Sequence, residues 1–326
     1  MDTQVEAETG AETELVVSAG ALLRAGGLVG MPTETVYGLA ANALDSAAVA
    51  AIFATKGRPS DNPLIVHVCS LDVARPLLQP VSALAEKLAA AFWPGPLTIV
   101  LPLRPHSGLS PLVTCGLPNV GIRVPSHPVA LAFLKAAQVP VAAPSANRSG
   151  SPSPTTAAHV RSDFPDLRVL DGGPCEIGLE STVVKVTEDD KIRILRPGKI
   201  AVSDLARFGL VELAYRASEA PEAPGMKYKH YSPKGEVFLV SEKCEISDKS
   251  AVLIAFDDFE WAEFRGERMS LGRLCDLEEA SRRLFGLLRR CDDVGASEVY
   301  VDVRFDQNAG IGQALWNRVS KAASKH

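Results

Sequence analysis

The sequence predicts an α/β protein of two domains: an N-terminal one built on a twisted mixed sheet with helices, and a smaller C-terminal α/β module. Three observations carry this. Helix-like and strand-like apolar periods alternate from Leu15 to about residue 205. The links between them include both hairpin-like and crossover lengths, which makes a mixed sheet rather than a purely parallel one. An aperiodic stretch rich in Pro, Ala and Glu, "YRASEAPEAPGMKYKHYSP" (215–233), then precedes a second β/α run. A chain of 326 residues is long for one core and comfortable for two. The expected divisions are a flexible leader (1–14), a first domain (15–210), a linker or lid (211–235) and a second domain (236–326).

The leader "MDTQVEAETGAETE" is acidic and polar, and reads as solvated. In "ALDSAAVAAIFATKGRP" Asp45 is a candidate N-cap, Lys56 lies in the last turn, Gly57 is the residue just past the helix and Pro59 follows. A strand is expected over Leu64–Val68, a helix near Val81–Phe92, the turn "WPGP" and a strand "LTIVLPL". "VGIRVP" reads as a strand, Ser126 as the cap of a helix through Ala137, and "VPVAAPSAN" as a strand ending in a polar turn. Further strands are expected at "LRVLDG", "STVVKVT" and "IRILRPG", with a helix near Ser203–Phe208. Beyond the linker, "GEVFLVS", "SAVLIAF" and "SEVYVDVRF" read as strands, and Leu277–Arg290 and "GQALWNRVSKAA" as helices.

Composition narrows the function. With 46% hydrophobic and 22% charged residues the chain falls among soluble globular proteins, and no apolar run reaches a membrane span. The acidic start is unlike a signal or transit peptide, so a cytoplasmic location is expected. Six scattered cysteines without C-x-x-C signal neither zinc nor disulfides, and read as reduced and mostly buried. A net charge of −5 argues against general nucleic-acid binding. Residues 101–150, however, hold Arg104, Arg123, Lys135 and Arg148 and no acid, which suggests a locally positive cavity for a modest polyanion such as a nucleotide. There is no P-loop, G-x-S-x-G or H-E-x-x-H, and "AGIGQAL" (309–315) reads as a helix start, not a dinucleotide turn.

What remains is a series of polar clusters at strand ends: "PTETVYGLA", "KGRPSDNPL", "GIRVP", "APSAN", "LEST" and "LRPG". Sites in open α/β sheets gather where strands end, so these clusters could share one cleft. Singly, each fits a turn or a cap. His67 is the sharper case: an imidazole inside an apolar strand is commonly a core residue, yet Arg58 and Asn62 on the adjacent loop could share a ligand with it.

In order, "MPTETVYGLA", "KGRPSDNPLIVHV", "WPGPLTIVL", "GIRVPSHPVA", "PSANRSGSPSPTT", "ESTVV" and "RPG" resemble the YrdC-type threonylcarbamoyl-AMP synthases. "PGMKYKHYSPKGEV" and the module after it are similar to the linker and Rossmann-like C-terminal domain of that family's long form. The resemblance implies a nucleotidyltransferase that makes L-threonylcarbamoyl-AMP and pyrophosphate from L-threonine, bicarbonate and ATP with Mg²⁺. Downstream transfer proteins would pass the product to tRNAs reading ANN codons, without tRNA having to bind here. Carried over by motif, Thr35, His67, Arg123, Ala143 and Ser181 would surround threonine. Arg58, Asn62, Asn119, Ser145, Ser153, Arg196 and Tyr231 would surround ATP. Lys56, Arg58, Ser145 and Asn147 would serve the phosphates, Arg58 from a surface loop, and Mg²⁺ would ride on the phosphates and water with no protein cage. The linker, residues 222–233, would fold over the cleft and bring Lys227, Lys229 and Tyr231 to the nucleotide. A carbamoyl-AMP-forming domain of the hydrogenase-maturation type shares this core, but such proteins carry C-x-x-C repeats that are lacking here. A double-stranded-RNA module would instead show a steep salt slope and no ATP turnover.

Overall fold

The computed structural model describes residues 2–214, 230–241, 250–261, 264–308 and 310–323, with side chains from residue 13. The strands are β1 (Val29–Met31), β2 (Gly38–Asn42), β3 (Ile65–His67), β4 (Leu97–Pro102), β5 (Asn119–Arg123), β6 (Val141–Ala142), β7 (Arg168–Val169), β8 (Thr182–Val186), β9 (Ile192–Arg196) and β10 (Val211–Leu213) in the first region. β11 (Glu236–Val240), β12 (Val252–Ala255), β13 (Glu267–Ser270) and β14 (Glu298–Asp302) follow in the second. Helices α1 (Asp2–Arg24), α2 (Ser46–Lys56), α3 (Leu71–Ala74), α4 (Ala83–Phe92), α5 (Pro111–Thr114), α6 (Pro128–Ala137), α7 (Ala157–Asp163) and α8 (Val202–Leu205) accompany the first sheet, and α9 (Leu277–Asp293) and α10 (Gly310–Ala323) the second.

The first sheet runs β10-β9-β8-β4-β5-β3-β6-β2-β1-β7, with parallel and antiparallel neighbours mixed as expected. β3 and β5 are parallel with His67 opposite Arg123. β8 is parallel to β4, which is antiparallel to β5, so the start of β8 meets the end of β5. The ends of β3, β5 and β9 and the start of β8 therefore lie at one rim of the sheet. The second sheet, β11-β14-β12-β13, is parallel throughout.

Local signals explain α2. Asp45 accepts hydrogen bonds from the Ala47 and Ala48 amides, and Gly57 ends the helix at φ 62°, where a side chain would be strained. In α9, Asp276 caps the first turn, and Ala280, Leu284, Leu288 and Cys291 form one buried stripe.

Several expectations need correction. The leader 1–14 is helical backbone from Asp2 onward, because its Ala- and Glu-rich sequence favours helix and joins a packed C-terminal half. In that half Ala19 and Leu23 share a core with Phe133 and Ala137, and Arg24 bonds to the Ala137 carbonyl at 3.3 Å. Gly20 is needed there, since a Cβ would sit 2.8 Å from the Ala136 carbonyl carbon. The cap of α6 is His127, not Ser126: its ring nitrogen accepts from the Val129 amide at 3.2 Å. β10 carries the first sheet past residue 210 by pairing with β9, so regular structure extends into the expected linker. Of the described cysteines Cys175 and Cys291 are buried and Cys275 is exposed, because Cys275 lies just before α9 and outside its apolar stripe.

Candidate active site

The turn after β1 is folded by its own side chains. The Thr33 hydroxyl donates to the Val36 carbonyl at 2.6 Å and accepts from the Thr35 and Val36 amides at 3.2 Å. This fixes Thr35 against Arg123, whose Nη1 donates to the Thr35 hydroxyl at 2.9 Å. Arg123 is 4% exposed, and its Nη2 lies 2.7 Å from Glu34 Oε1. Neither Glu34 oxygen has a hydrogen-bond partner, so this is a charge contact off the hydrogen-bond line.

Gly198 holds the opposite wall. A Cβ there would stand 2.3 Å from the Thr182 amide nitrogen, so the "RPG" turn presses onto the strand entry through a residue without a side chain. Arg196 then reaches Ser181, donating from Nε to its carbonyl and from Nη2 to its hydroxyl, each at 3.1 Å. The same hydroxyl is 2.8 Å from Thr98 Oγ1.

These walls enclose a cleft of about 610 Å³ including its open mouth. It is lined by Thr35, Arg58, His67, Arg123, Ala143, Ser145, Ser181, Arg196 and Tyr231 among the expected residues. Three of these are guanidiniums, and Glu180 is the acidic residue of the lining. Burial lowers Arg58 and Arg196 to about 10, which leaves both charged at neutral pH. Of the acid-free segment 101–150 only Arg123 supplies charge here. Arg104 bonds to the Leu78 carbonyl at 3.0 Å, and Arg148 lies over the Phe164 ring.

Other expected residues stand behind the cleft. Lys56 is buried, and its ammonium donates to the Ser145 carbonyl, to the Asn147 carbonyl at 2.5 Å and weakly to Asn147 Oδ1 at 3.5 Å. Asn147 in turn donates to the Arg148 and Ser151 carbonyls, each at 2.8 Å. The two residues clamp the "PSAN" loop instead of facing a ligand, because the buried carbonyls need the ammonium's donors. Arg58 is half-buried, not a surface cation, and bonds to the Asn62 and Pro63 carbonyls at 3.1 and 2.9 Å. Asn62 is buried with its amide nitrogen unpartnered. Ser153 donates to Glu180 Oε1 at 2.6 Å, which turns its hydroxyl to the carboxylate. Asn119 lines a smaller cavity behind Pro63, Leu64 and Ile65, as its place at the far end of β5 requires.

Glu34 and Glu180 belong to this site and were not singled out, although both lie inside quoted motifs; Thr33, which reads singly as a cap, and His230, within the expected lid, line it as well. Of the linker, His230 and Tyr231 line the cleft, Tyr231 at φ 69° with its ring 5.2 Å from Phe285. The proposed lid residues 222–229, with Lys227 and Lys229, lie outside the described residues.

Burial, reinforced by Arg123, lowers His67 to about 3, and burial with Arg58 does the same to His230. Both rings are neutral at pH 7. In the unfolded chain they take up protons below about pH 6.5, while the folded protein resists until about pH 3, so stability falls as pH drops through that window. Urea midpoints should decline steadily from pH 6.5 to 4, and His67→Gln should flatten the decline. A decline as steep in the variant as in the parent would contradict the burial of a neutral His67.

Among the described residues no group of three or more His, Cys, Asp or Glu is placed to hold a metal. Glu180 is occupied on both oxygens, by Ser153 and by Arg318.

Comparison with known proteins places this geometry. A family model described as "Telomere recombination", the Sua5/YciO/YrdC domain, matches residues 21–198, and "Threonylcarbamoyl-AMP synthase, C-terminal domain" matches residues 197–324. The threonylcarbamoyl-AMP synthase of Pyrococcus abyssi is 39% identical over 96% of this chain and 94% of its own. That of Bacillus subtilis is 39% identical over 94% and 92%. The crystal structure of P. abyssi Sua5 complexed with L-threonine superposes with a TM-score of 0.84 at 38% identity, covering 94% of each chain. With both domain models matched in sequence order and relatives similar over nearly their full length, the chain belongs to the YrdC-type threonylcarbamoyl-AMP synthase family, in its two-domain long form.

Proposed function

We propose that the protein joins L-threonine, bicarbonate and ATP into L-threonylcarbamoyl-AMP with release of water, as bicarbonate carboxylates the amine, and of pyrophosphate, for threonylcarbamoyladenosine in tRNAs reading ANN codons. The observation that carries this is the pairing, within one cleft, of a hydroxyl- and guanidinium-rich pocket (Thr35, Ser181, Arg123) with two further guanidiniums at Arg58 and Arg196. The P. abyssi relative crystallised with L-threonine supports the same reading.

Arg123 would receive the threonine carboxylate, while neutral His67, whose Nδ1 has no partner in the structure, would meet a polar atom of the substrate. Arg58, Arg196 and Ser145 would take the phosphates, with Tyr231 against the nucleotide and magnesium, when bound, neutralising phosphate charge. The carbamate oxygen of N-carboxylated threonine would then bond to the α-phosphorus as the bond to pyrophosphate breaks. No protein nucleophile is needed, so the residues act by positioning and charge neutralisation. The product is a mixed anhydride, which a transfer protein must collect before water does. The site is built for small molecules, and direct tRNA binding is not part of the reading.

The test is turnover with ATP, bicarbonate, magnesium and either threonine or serine, followed by exchange of labelled pyrophosphate. Threonine should support exchange, and serine should fall roughly 10–200-fold in kcat/KM, the effect of one methyl in an apolar contact. Equal values for the two amino acids would remove threonine from the reading, and salt-sensitive RNA binding without exchange would replace it.

A further inference from the structure

Arg318 lies on α10 of the C-terminal domain, yet it is fully buried, and beside a hydrogen bond to Oδ1 of its neighbour Asn317 at 2.8 Å it reaches into the first domain. Its Nε donates to Glu180 Oε2 at 2.7 Å, Nη2 to the Glu180 carbonyl at 3.3 Å and Nη1 to the Pro197 carbonyl at 3.0 Å. Its guanidinium carbon lies 5.6 Å from the centre of the Tyr231 ring. Glu180 lines the cleft, and its other oxygen accepts from Ser153. Burial works to raise the Glu180 carboxyl, but Arg318 and then Arg196 outweigh it and hold the group below the usual range. The site therefore contains a carboxylate that remains charged because a residue from the other domain neutralises it.

That charge is a hazard in a phosphate site. Arg196 feels Glu180 directly, and Arg58 feels Arg196. Left without Arg318, the carboxylate would turn to the nearest cation and repel an incoming anion. We propose that Arg318 is a positioning residue for the nucleotide side of the cleft: it holds the Glu180 carboxylate away from Arg196 and Arg58, so that these guanidiniums stay available to an anionic substrate. The C-terminal domain thereby completes the electrostatics of a cleft that none of its described residues lines. The proposal rests on the ATP reading of this cleft.

Neighbouring contacts fix the geometry. Arg289 of α9 pairs with Asp163 and bonds to the Pro152 carbonyl, each at 2.6 Å, and Lys199 pairs with Glu278. Gly178, at φ 79°, lies so close to α9 that a Cβ would be 2.5 Å from the Ser281 carbonyl oxygen.

The experiment compares wild type, Arg318→Met and the double variant Arg318→Met/Glu180→Gln in the full chain, reading KM for ATP, KM for threonine and thermal midpoint. Wild type is measured first: absence of ATP saturation there is a failure of the functional reading and is recognised before any variant is compared. Arg318→Met should raise the KM for ATP by roughly ten-fold or more with little change for threonine. Adding Glu180→Gln should recover most of that loss, because it removes the unneutralised charge. A merely structural arginine would shift stability without this rescue. An unchanged ATP KM in Arg318→Met overturns the proposal, as does a loss that Glu180→Gln leaves in place, which would make Arg318 a direct ligand. If the single variant does not fold, the double variant decides. Folding with near-normal ATP KM supports the proposal. Failure to fold, or to bind ATP once folded, overturns it.

Discussion

Arg123→Ala will lose L-threonine binding and a large share of its stability together. The guanidinium is the cation at the hydroxyl-rich end of the cleft, and removing a buried partner of a substrate carboxylate costs about 2–5 kcal/mol, roughly 30- to 5,000-fold in affinity. The same change leaves Glu34, 3% exposed, as a buried charge without its counter-ion, at about 3–5 kcal/mol of folding stability. The two losses are separable. Arg123→Met with Glu34→Gln should regain most of the stability, since a neutral pair no longer carries an uncompensated charge, and still fail to bind threonine. Titration calorimetry and urea unfolding read these quantities independently. Wild-type threonine affinity in a folded Arg123→Ala protein would dismiss the carboxylate role.

The second large effect is expected at Lys56. Lys56→Met keeps the length of the side chain but strips the donors from two buried carbonyls, at about 1–3 kcal/mol each. The "PSAN" loop would loosen, and Ser145 would lose its place in the cleft. Stability and turnover should therefore fall in parallel while threonine affinity stays close to that of the parent. If Lys56 instead met the phosphates itself, the variant would show a raised KM for ATP and undiminished stability, and that outcome would refute the clamp.

How much of this was legible in the sequence depended on whether a feature was local. The cap at Asp45 and the stop at Gly57 are written in adjacent residues, and the structure has both. The strand-end clusters were legible because polar residues interrupt apolar runs, and nine of the residues carried over by motif do line one cleft. β2 was not legible. "GLAAN" lacks the β-branched and aromatic residues that favour strands, and it is a strand because β1 and β6 pair with it on either side. Lys56 was assigned a direction by charge alone, whereas burial gave its ammonium to backbone carbonyls. Arg318 had a signal that went unread. It falls on the same helical face as Ala314, Leu315 and Ala322, where an arginine must be paired or unfold the helix packing. Its partner is 138 positions away, a distance no sequence window spans.

Val36 and Leu179, from the first domain, lie in one buried cluster with Tyr231, Phe285 and the apolar faces of β12, β14 and α10. The cleft wall and the C-terminal core are thus one hydrophobic body, although the two sheets are separate. A chain cut after residue 210 would uncover Val36 and Leu179 and delete Tyr231 and Arg318 at the same moment. The module boundary seen in the sequence is therefore crossed by a shared apolar cluster, and melting of either half would strip the other of part of its lining.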